Sequence, residues 1–414
     1  LVASISIASA FDIDGEEFTN RKPITIDNTG NANTLTDYQL KIEVNYEPEM
    51  QPGFDDLRFT DSGGNVLSYW VEDSIPSTSA PVWVKVTSIP GGVTTTMWLY
   101  YGNPSASSLS DGDATFDIFE DFDHDDGEWI EYDLNDKIKL DYTTDHRLKF
   151  NNWIRTDPGY VYKSCSARNF VEEYEICITN KWGNANPIGP DFSDSIGTKS
   201  QWQNGVGTEF YAGFGNIRSY SMAFVDGNKI WGLSGEWPPH SNSIDVTTNT
   251  IYYVRLEKFE DRIKLSIFSD PERTAHIAES PKEVTADNLA DTAFGYYYLV
   301  TGYTILPPDN PEWTSGWMDN FRVRKYAEQE PTVSFGEEID SIKIIDITPP
   351  AGTELNVGEK VDFDLTVDYS LVSLDQGLVK LSVIDNWGTH LVYWWAISTG
   401  SGTLSCTWPS VSRT

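Results

Sequence analysis

A chain of 414 residues with 63 acidic and 29 basic side chains has a formal net charge of −34. A surface that negative repels nucleic acid and anionic lipid, which excludes both as general partners. Charged residues are 22% and aromatics 13% of the chain, the balance of a globular protein rather than a disordered one.

Residues 1–13 place Leu1, Ala3, Ile5, Ile7, Phe11 and Ile13 at odd positions, with Ser4, Ser6 and Asp12 at even ones. That is the period of a strand with one apolar face. Ala8-Ser9-Ala10 also resembles the cleavage site of an export signal. Residues 1–15 therefore read either as an extended strand or as a signal remnant. Asp12-Ile13-Asp14-Gly15-Glu16 is loop-like and acidic but lacks the spacing of an EF-hand.

Residues 16–112 hold short alternating stretches bounded by turn residues. Residues 83–90 and 97–104 alternate apolar with polar side chains and end in Pro90-Gly91-Gly92 and Gly102-Asn103-Pro104. Upstream stand Arg21-Lys22-Pro23-Ile24-Thr25-Ile26-Asp27, Asp56-Leu57-Arg58-Phe59 and residues 66–72. With these motifs residues 18–112 resemble the family called domain of unknown function, number twenty-three forty-one. The resemblance implies an exported β-sandwich of archaeal and bacterial surface proteins, often placed before a concanavalin-A-like lectin domain. It implies no activity.

A polar linker at 107–113 leads to residues 115–337. The opening Phe119-Glu120-Asp121-Phe122, the strands at 252–257 and 262–268, and the closing Met318-Asp319-Asn320-Phe321-Arg322-Val323 resemble a concanavalin-A-like jelly roll of the laminin-G-like type. That scaffold hosts lectins, binding modules, adhesion domains and hydrolases alike, so it does not decide function. The resemblance implies calcium between the first and last strands, held by Glu120 or Asp121 with Asp319, oxygen ligands suited to a hard cation.

Glycoside hydrolysis needs two carboxylates across a cleft. Glu173-Tyr174-Glu175 puts two acids on one strand face, but the longer acid motif of this fold's hydrolases is absent. The simpler reading of 169–178 is an amphipathic strand with a solvated acidic face. The five His residues have no zinc-ligand spacing, and no Gly-x-Ser-x-Gly elbow occurs. Trp182, Trp202, Trp231, Trp237 and Trp313 lie in Gly-, Pro- and Asn-rich contexts and are the candidates for stacking on a glycan. Cys165 and Cys177 read either as a disulfide across adjacent strands or as small core residues.

Residues 341–414 show alternating stretches at 361–369, 378–384, 390–395 and 402–408. They resemble an immunoglobulin-like surface repeat, short of the usual seven or so strands. The fold class expected is all-β: tandem antiparallel β-sandwiches comprising a β-sandwich, a concanavalin-A-like jelly roll and a partial immunoglobulin-like sandwich. The function expected is an extracellular structural or adhesive protein, not an enzyme, whose middle domain binds glycan. Its partners would include other copies of itself, joined head to tail by donating the strand that carries Ile5, Ile7, Phe11 and Ile13. The alternative is a secreted carbohydrate-active enzyme or its binding accessory module.

Overall fold

The computed structural model describes residues 11–132, 134, 137–154, 159–182, 189–213, 216–225, 228–231, 243–286, 288–301, 313–338, 342–348, 360–385 and 388–412. Among them, strands are interrupted by only two helical turns. The chain divides into two compact units, Leu1–Thr115 with Glu328–Thr414, and Phe116–Ala327.

The first unit begins with a hairpin of β1 (Phe11–Ile13) and β2 (Glu16–Phe18). Asp14 and Gly15 both have positive φ, 54° and 85°, as a two-residue type I′ turn requires. The Asp12 carboxylate accepts a hydrogen bond from the Gly15 amide at 2.9 Å. The acids of this loop thus serve a turn, which matches their lack of EF-hand spacing. Ile13 and Phe18 are buried with Tyr100 and Ala106, and Phe11 packs against them. Phe11 and Ile13, expected in a donated strand, are therefore committed to their own unit. Ile5 and Ile7 lie outside the described residues.

Next come β3 (Asn20–Asp27), β4 (Leu35–Asn45), β5 (Arg58–Asp61), β6 (Val66–Leu67), β7 (Tyr69–Val71), β8 (Ser79–Ile89) and β9 (Thr94–Tyr101). They form two antiparallel sheets, one containing β3-β9-β5-β6 and the other β4-β8-β7. In β4 the buried Leu40, Ile42 and Val44 alternate with the exposed Lys41 and Glu43, the period of a half-buried strand. Two polar residues of the Asp56-Leu57-Arg58-Phe59 motif, Asp56 and Arg58, are fully buried. Asp56 accepts from the amides of Gln51, Gly102 and Asn103, fixing the turn that ends β9. Arg58 donates to Glu16 at 2.6 Å and to the Ser107 carbonyl at 2.9 Å.

The second unit has β10 (Ile118–Glu120), β11 (Ile130–Tyr132), β12 (Ile138–Asp141), β13 (Arg147–Ile154), β14 (Tyr160–Ala167), β15 (Phe170–Trp182), β16 (Asp191–Ser193) and β17 (Gly205–Gly213). There follow β18 (Asn216–Val225), β19 (Asn228–Trp231), β20 (Ile244–Val246), β21 (Ile251–Phe259), β22 (Arg262–Phe268), β23 (Lys282–Thr285), β24 (Phe294–Thr301) and β25 (Trp313–Lys325). One sheet runs β12-β13-β25-β15-β21-β22-β23, with β10 also on β25. The other runs β11-β14-β24-β16-β17-β18-β19, with β20 also on β18. The pairing of β10 with β25, Glu120 opposite Phe321, joins the first strand to the last, as the jelly-roll resemblance implies.

The core of this sandwich takes Ile176, Val254 and Leu265 from the first sheet and Val161, Phe192 and Phe210 from the second. Each such side chain contributes about 1.5–3 kcal/mol on full burial. Glu172 and Glu173 are both fully buried. The solvated acidic face expected for 169–178 is therefore corrected: β15 is a central strand, flanked by β21 and β25. Cys165 on β14 and Cys177 on β15 belong to different sheets and are both free, so the disulfide reading is corrected too. The Cys165 thiol donates to the Phe294 carbonyl.

After the second unit the chain returns to the first. β26 (Thr332–Phe335) pairs with β3, Thr332 opposite Asp27 and Phe335 opposite Ile24. This strand, placed in the jelly roll by the boundary at 337, is thus the edge of the first unit's sheet. Periodicity shows that a strand exists but not which sheet edge accepts it. Finally β27 (Ile342–Thr348), β28 (Lys360–Asp385) and β29 (Gly388–Ser412) form a three-stranded antiparallel sheet. The stretches read as separate strands run together in β28 and β29. A register shift between Leu371 and Gln376 absorbs the intervening residues without ending the strand.

Candidate functional site

The acids expected to hold calcium are only partly assembled. Glu120 is buried, and its oxygens accept hydrogen bonds from the Phe122 amide at 2.7 Å, the Trp129 indole and the Tyr142 hydroxyl. Burial pushes its carboxyl up to about 7. Asp121 accepts from the Asp123 amide, and burial raises its pKa as well. Asp319 stands opposite Glu175 in the ladder of β15 and β25. Burial, aided by repulsion from Glu175 and Asp121, lifts it to about 7. Among the described residues no group of three or more His, Cys, Asp or Glu side chains is arranged to hold a metal ion.

Glu173 and Glu175 also differ from the paired acids of a hydrolase. Burial opposes ionisation of Glu173, but Arg322, Arg255, Arg273 and Arg324 outweigh it and hold its carboxyl well below the usual carboxylate range. Arg255 and Arg322 donate to it at 2.7 and 2.6 Å. A carboxylate so held is a structural anion, unsuited to donate a proton near neutrality.

The tryptophans disperse. Trp202 is buried, 1% exposed, and its indole donates to the Gly197 carbonyl. It is corrected from glycan platform to support. Trp182 and Trp313 are backbone partners on β15 and β25, and Trp231 pairs with Met222. Trp237 lies outside the described residues.

The aromatic surface that the structure does build consists of tyrosines. In β14, β16 and β24 the residues Val161, Phe192 and Tyr297 point into the core. The period of two then turns Tyr160, Tyr162, Tyr296 and Tyr298 to the opposite face, where they cluster with Trp202 and Met222. Tyr132 on β11 lies opposite Tyr160, and Ile130 opposite Tyr162. The Tyr132 ring stacks on Tyr160, centroids 4.7 Å apart and planes 15° apart. Tyr162 and Tyr298 are stacked at 5.5 Å.

One loop closes this face on one side. The Tyr298 hydroxyl donates to the Ser195 carbonyl at 3.0 Å and accepts from the Gly197 amide at 3.1 Å. Gly197 has φ of 138°, a conformation strained for any residue with a Cβ, and a Cβ there would also press on the Gln201 side chain. Beneath the loop the Lys199 ammonium is buried against Asp191 at 2.9 Å, with Glu209 at 3.7 Å. Burial raises the Tyr160 and Tyr298 pKa values, so both hydroxyls stay protonated as donors.

Tyr132 and Ile130, on β11 beside this face, are 52% and 50% exposed, and Ile196 in the closing loop is 47% exposed. They extend an apolar surface outward from a rigid buried base. Sequence reasoning missed it by searching loops for Trp. The available signal was the alternate tyrosines in Tyr160-Val161-Tyr162 and Tyr296-Tyr297-Tyr298.

Residues 53–132 match the model of the family described as Domain of unknown function (DUF2341). The match overlaps the stretch that carries the resemblance and runs on to Tyr132. No curated protein matches the chain. Among solved structures, a carbohydrate binding module, CBM66, from Bacillus subtilis aligns at 13% identity over 48% of this chain and 96% of its own, with a TM-score of 0.29. A cellulose induced protein, Cip1, aligns at 8% identity over 50% and 97%, TM-score 0.34. The LG1-3 region of the laminin alpha2 chain aligns at 10% identity over 99% and 94%, TM-score 0.25. Superpositions this loose carry no argument about this chain; its sandwich rests on its own strand pairing.

Proposed function

We propose that the Phe116–Ala327 unit is a glycan-binding module of an extracellular surface protein, and that the tyrosine face is its binding surface. The observation that supports this most is the exposed Tyr132 ring, held flat by stacking on the buried Tyr160. An aromatic ring fixed in this way offers a large apolar face at little entropic cost to the C–H face of a sugar ring. The Tyr160 and Tyr162 side chains beneath, with the loop carbonyls, give polar edges beside the apolar one, the mixture expected of a ligand site. The net charge of −34 disfavours acidic polysaccharides, so the ligand is a neutral glycan.

The test is affinity electrophoresis of the full chain through gels holding neutral or acidic soluble polysaccharides. At least one neutral glycan should retard it. Tyr132→Ala removes only an exposed ring and should weaken that binding about tenfold, the effect of losing about 1.4 kcal/mol. No retardation by any glycan, or equal retardation of the variant, would sink the reading.

A further inference from the structure

Under the loop that closes the tyrosine face, one lysine and two acids meet out of reach of solvent. Lys199 is 1% exposed, and Asp191 and Glu209 are wholly buried. Lys199 opens the short helical turn Lys199–Gln201, between β16 and β17. The Thr198 amide donates to the Gln201 side chain at 2.9 Å and the Gln201 amide to the Thr198 carbonyl at 2.8 Å, which fixes the turn that carries the lysine. Asp191 on β16 stands opposite Gly207 on β17, and Glu209, two residues on, shares the face of Gly207. A Cβ on Gly207 would collide with the Asp191 carboxylate, so glycine leaves the room that this carboxylate occupies. The neighbours on this face, Tyr298 opposite Asp191 and Met222 opposite Gly207, are fully buried with Trp202.

The Lys199 Nζ lies 3.1 Å from Asp191 Oδ1 and 2.9 Å from Oδ2. Reach to both oxygens of one carboxyl sets Nζ about 3–3.5 Å from the Cγ that joins them, the separation of reacting atoms in a near-attack geometry. Glu209 Oε1 is 3.7 Å from the same nitrogen. An amine, a carboxyl carbon and a second carboxylate to move protons are the parts of an amide-forming condensation. Burial favours the product. An ammonium and a carboxylate are costly to hold away from water, an amide carries no charge, and the enclosing side chains keep out the water that would reverse the step.

We propose that Lys199 and Asp191 join in an intramolecular amide, Nζ to Cγ, which the chain forms on itself with Glu209 carrying protons. The ammonium gives one proton to the Asp191 carboxylate, leaving an amine beside a carboxylic acid. The Nζ lone pair attacks Cγ. Glu209 takes a proton from the nitrogen and passes it to the departing hydroxyl. One C–N bond forms, one C–O bond breaks, one water is released, and Glu209 ends as it began. The balance needs no oxidant or reductant. The bond closes residues 191–199 into a covalent ring. Ser195 and Gly197, which hold the Tyr298 hydroxyl, lie inside that ring, so the crosslink pins the loop against the tyrosine face.

The experiment is intact-mass spectrometry of the full chain, purified and then denatured, followed by tryptic mapping. The chain should weigh one water less than its sequence. Trypsin cuts after Lys181 and Arg218 but not after an acylated lysine, so residues 182–218 should appear as one peptide, with the fragments that carry Asp191 and Lys199 joined. Lys199→Arg removes the nucleophile and should restore the full mass. Glu209→Gln keeps the side chain's shape and should slow bond formation about a hundredfold or more, leaving freshly purified protein largely at full mass. Full mass with ordinary cleavage at Lys199 in the unaltered chain overturns the proposal. So does a mass loss that Lys199→Arg retains, which would mark a dehydration elsewhere. A bond that forms unslowed in Glu209→Gln overturns the role of Glu209. The mass of the unaltered chain decides the bond even where a variant does not fold, and it reads the bond whether or not the unit binds glycan.

Discussion

Adjacent glutamates on β15 meet opposite electrostatic fates. Glu173 faces a set of arginines and stays ionised. Glu172, one residue earlier and so on the other face, points into the core beside Tyr297 and Asp191, and neither of its oxygens has a well-formed hydrogen bond. Burial pushes it up to about 8, with repulsion from Asp191 adding to the shift. In the unfolded chain the same group ionises near 4.5. A carboxyl whose folded pKa is raised contributes most below about pH 4.5, and that contribution is lost as pH rises through 8. Glu173 has the opposite sign: its contribution is present above the unfolded pKa and falls away on strong acidification. The second unit should therefore melt at a higher temperature at pH 5 than at pH 8.5. Glu172→Gln should flatten that slope and stabilise the unit at pH 8.5 by roughly 2–5 kcal/mol. Calorimetry across this range decides it, and an unchanged slope in the variant would show that Glu172 is not the group responsible.

At the scale of elements, β26 is the informative case. It is four residues long, yet it reaches β3 across more than 200 residues of sequence. Glu338, just beyond it, accepts from Asn20 at 2.8 Å and from the Tyr101 hydroxyl at 2.9 Å. The segment after the second unit thus completes the sheet begun by residues 20–27. A chain ending at residue 327 would leave the β3 edge open to other strands. Losing the ladder and the Glu338 bonds, at about 1 kcal/mol each, should destabilise the first unit by roughly 4–6 kcal/mol. A synthetic peptide of residues 328–338 added in trans should restore part of the lost melting temperature. A truncated chain that melts like the full one would make β26 an ornament rather than a support. The β1–β2 hairpin teaches the converse lesson. Alternation through residue 13 suggested one free strand, but Asp14-Gly15 turns the chain back within its own unit.

At the scale of the molecule the question is whether a glycan bound at the proposed tyrosine face would also be cut. The best local acid pair is divided, with Glu173 locked to Arg255 and Arg322, and Glu175 accepting from the Asn320 side-chain Nδ2 at 3.0 Å. Incubation of the full chain with the glycans it retains should release no reducing sugar. Release that disappears in Glu173→Gln or Glu175→Gln would convert the binding reading into an enzymatic one. Among the described residues no helix is long and apolar enough to cross a membrane.

The sequence by itself determined that this chain is all-β, because period-two alternation and turn residues are local properties. It also determined the turns that end β8 and β9, and the strands whose resemblance marked the two sandwiches. Tertiary structure decided the rest. Which face of β15 is solvated depends on the strands beside it, so the acids expected in water are buried. Cys165 and Cys177 are near in sequence but separated by a change of sheet. Trp202 looks like a loop residue until the loop folds down over Tyr298, while Tyr132 is one aromatic among many until Tyr160 holds it flat. Alternation gives each strand two faces; only the partners on either side decide which face is core, which is surface and which can meet a ligand.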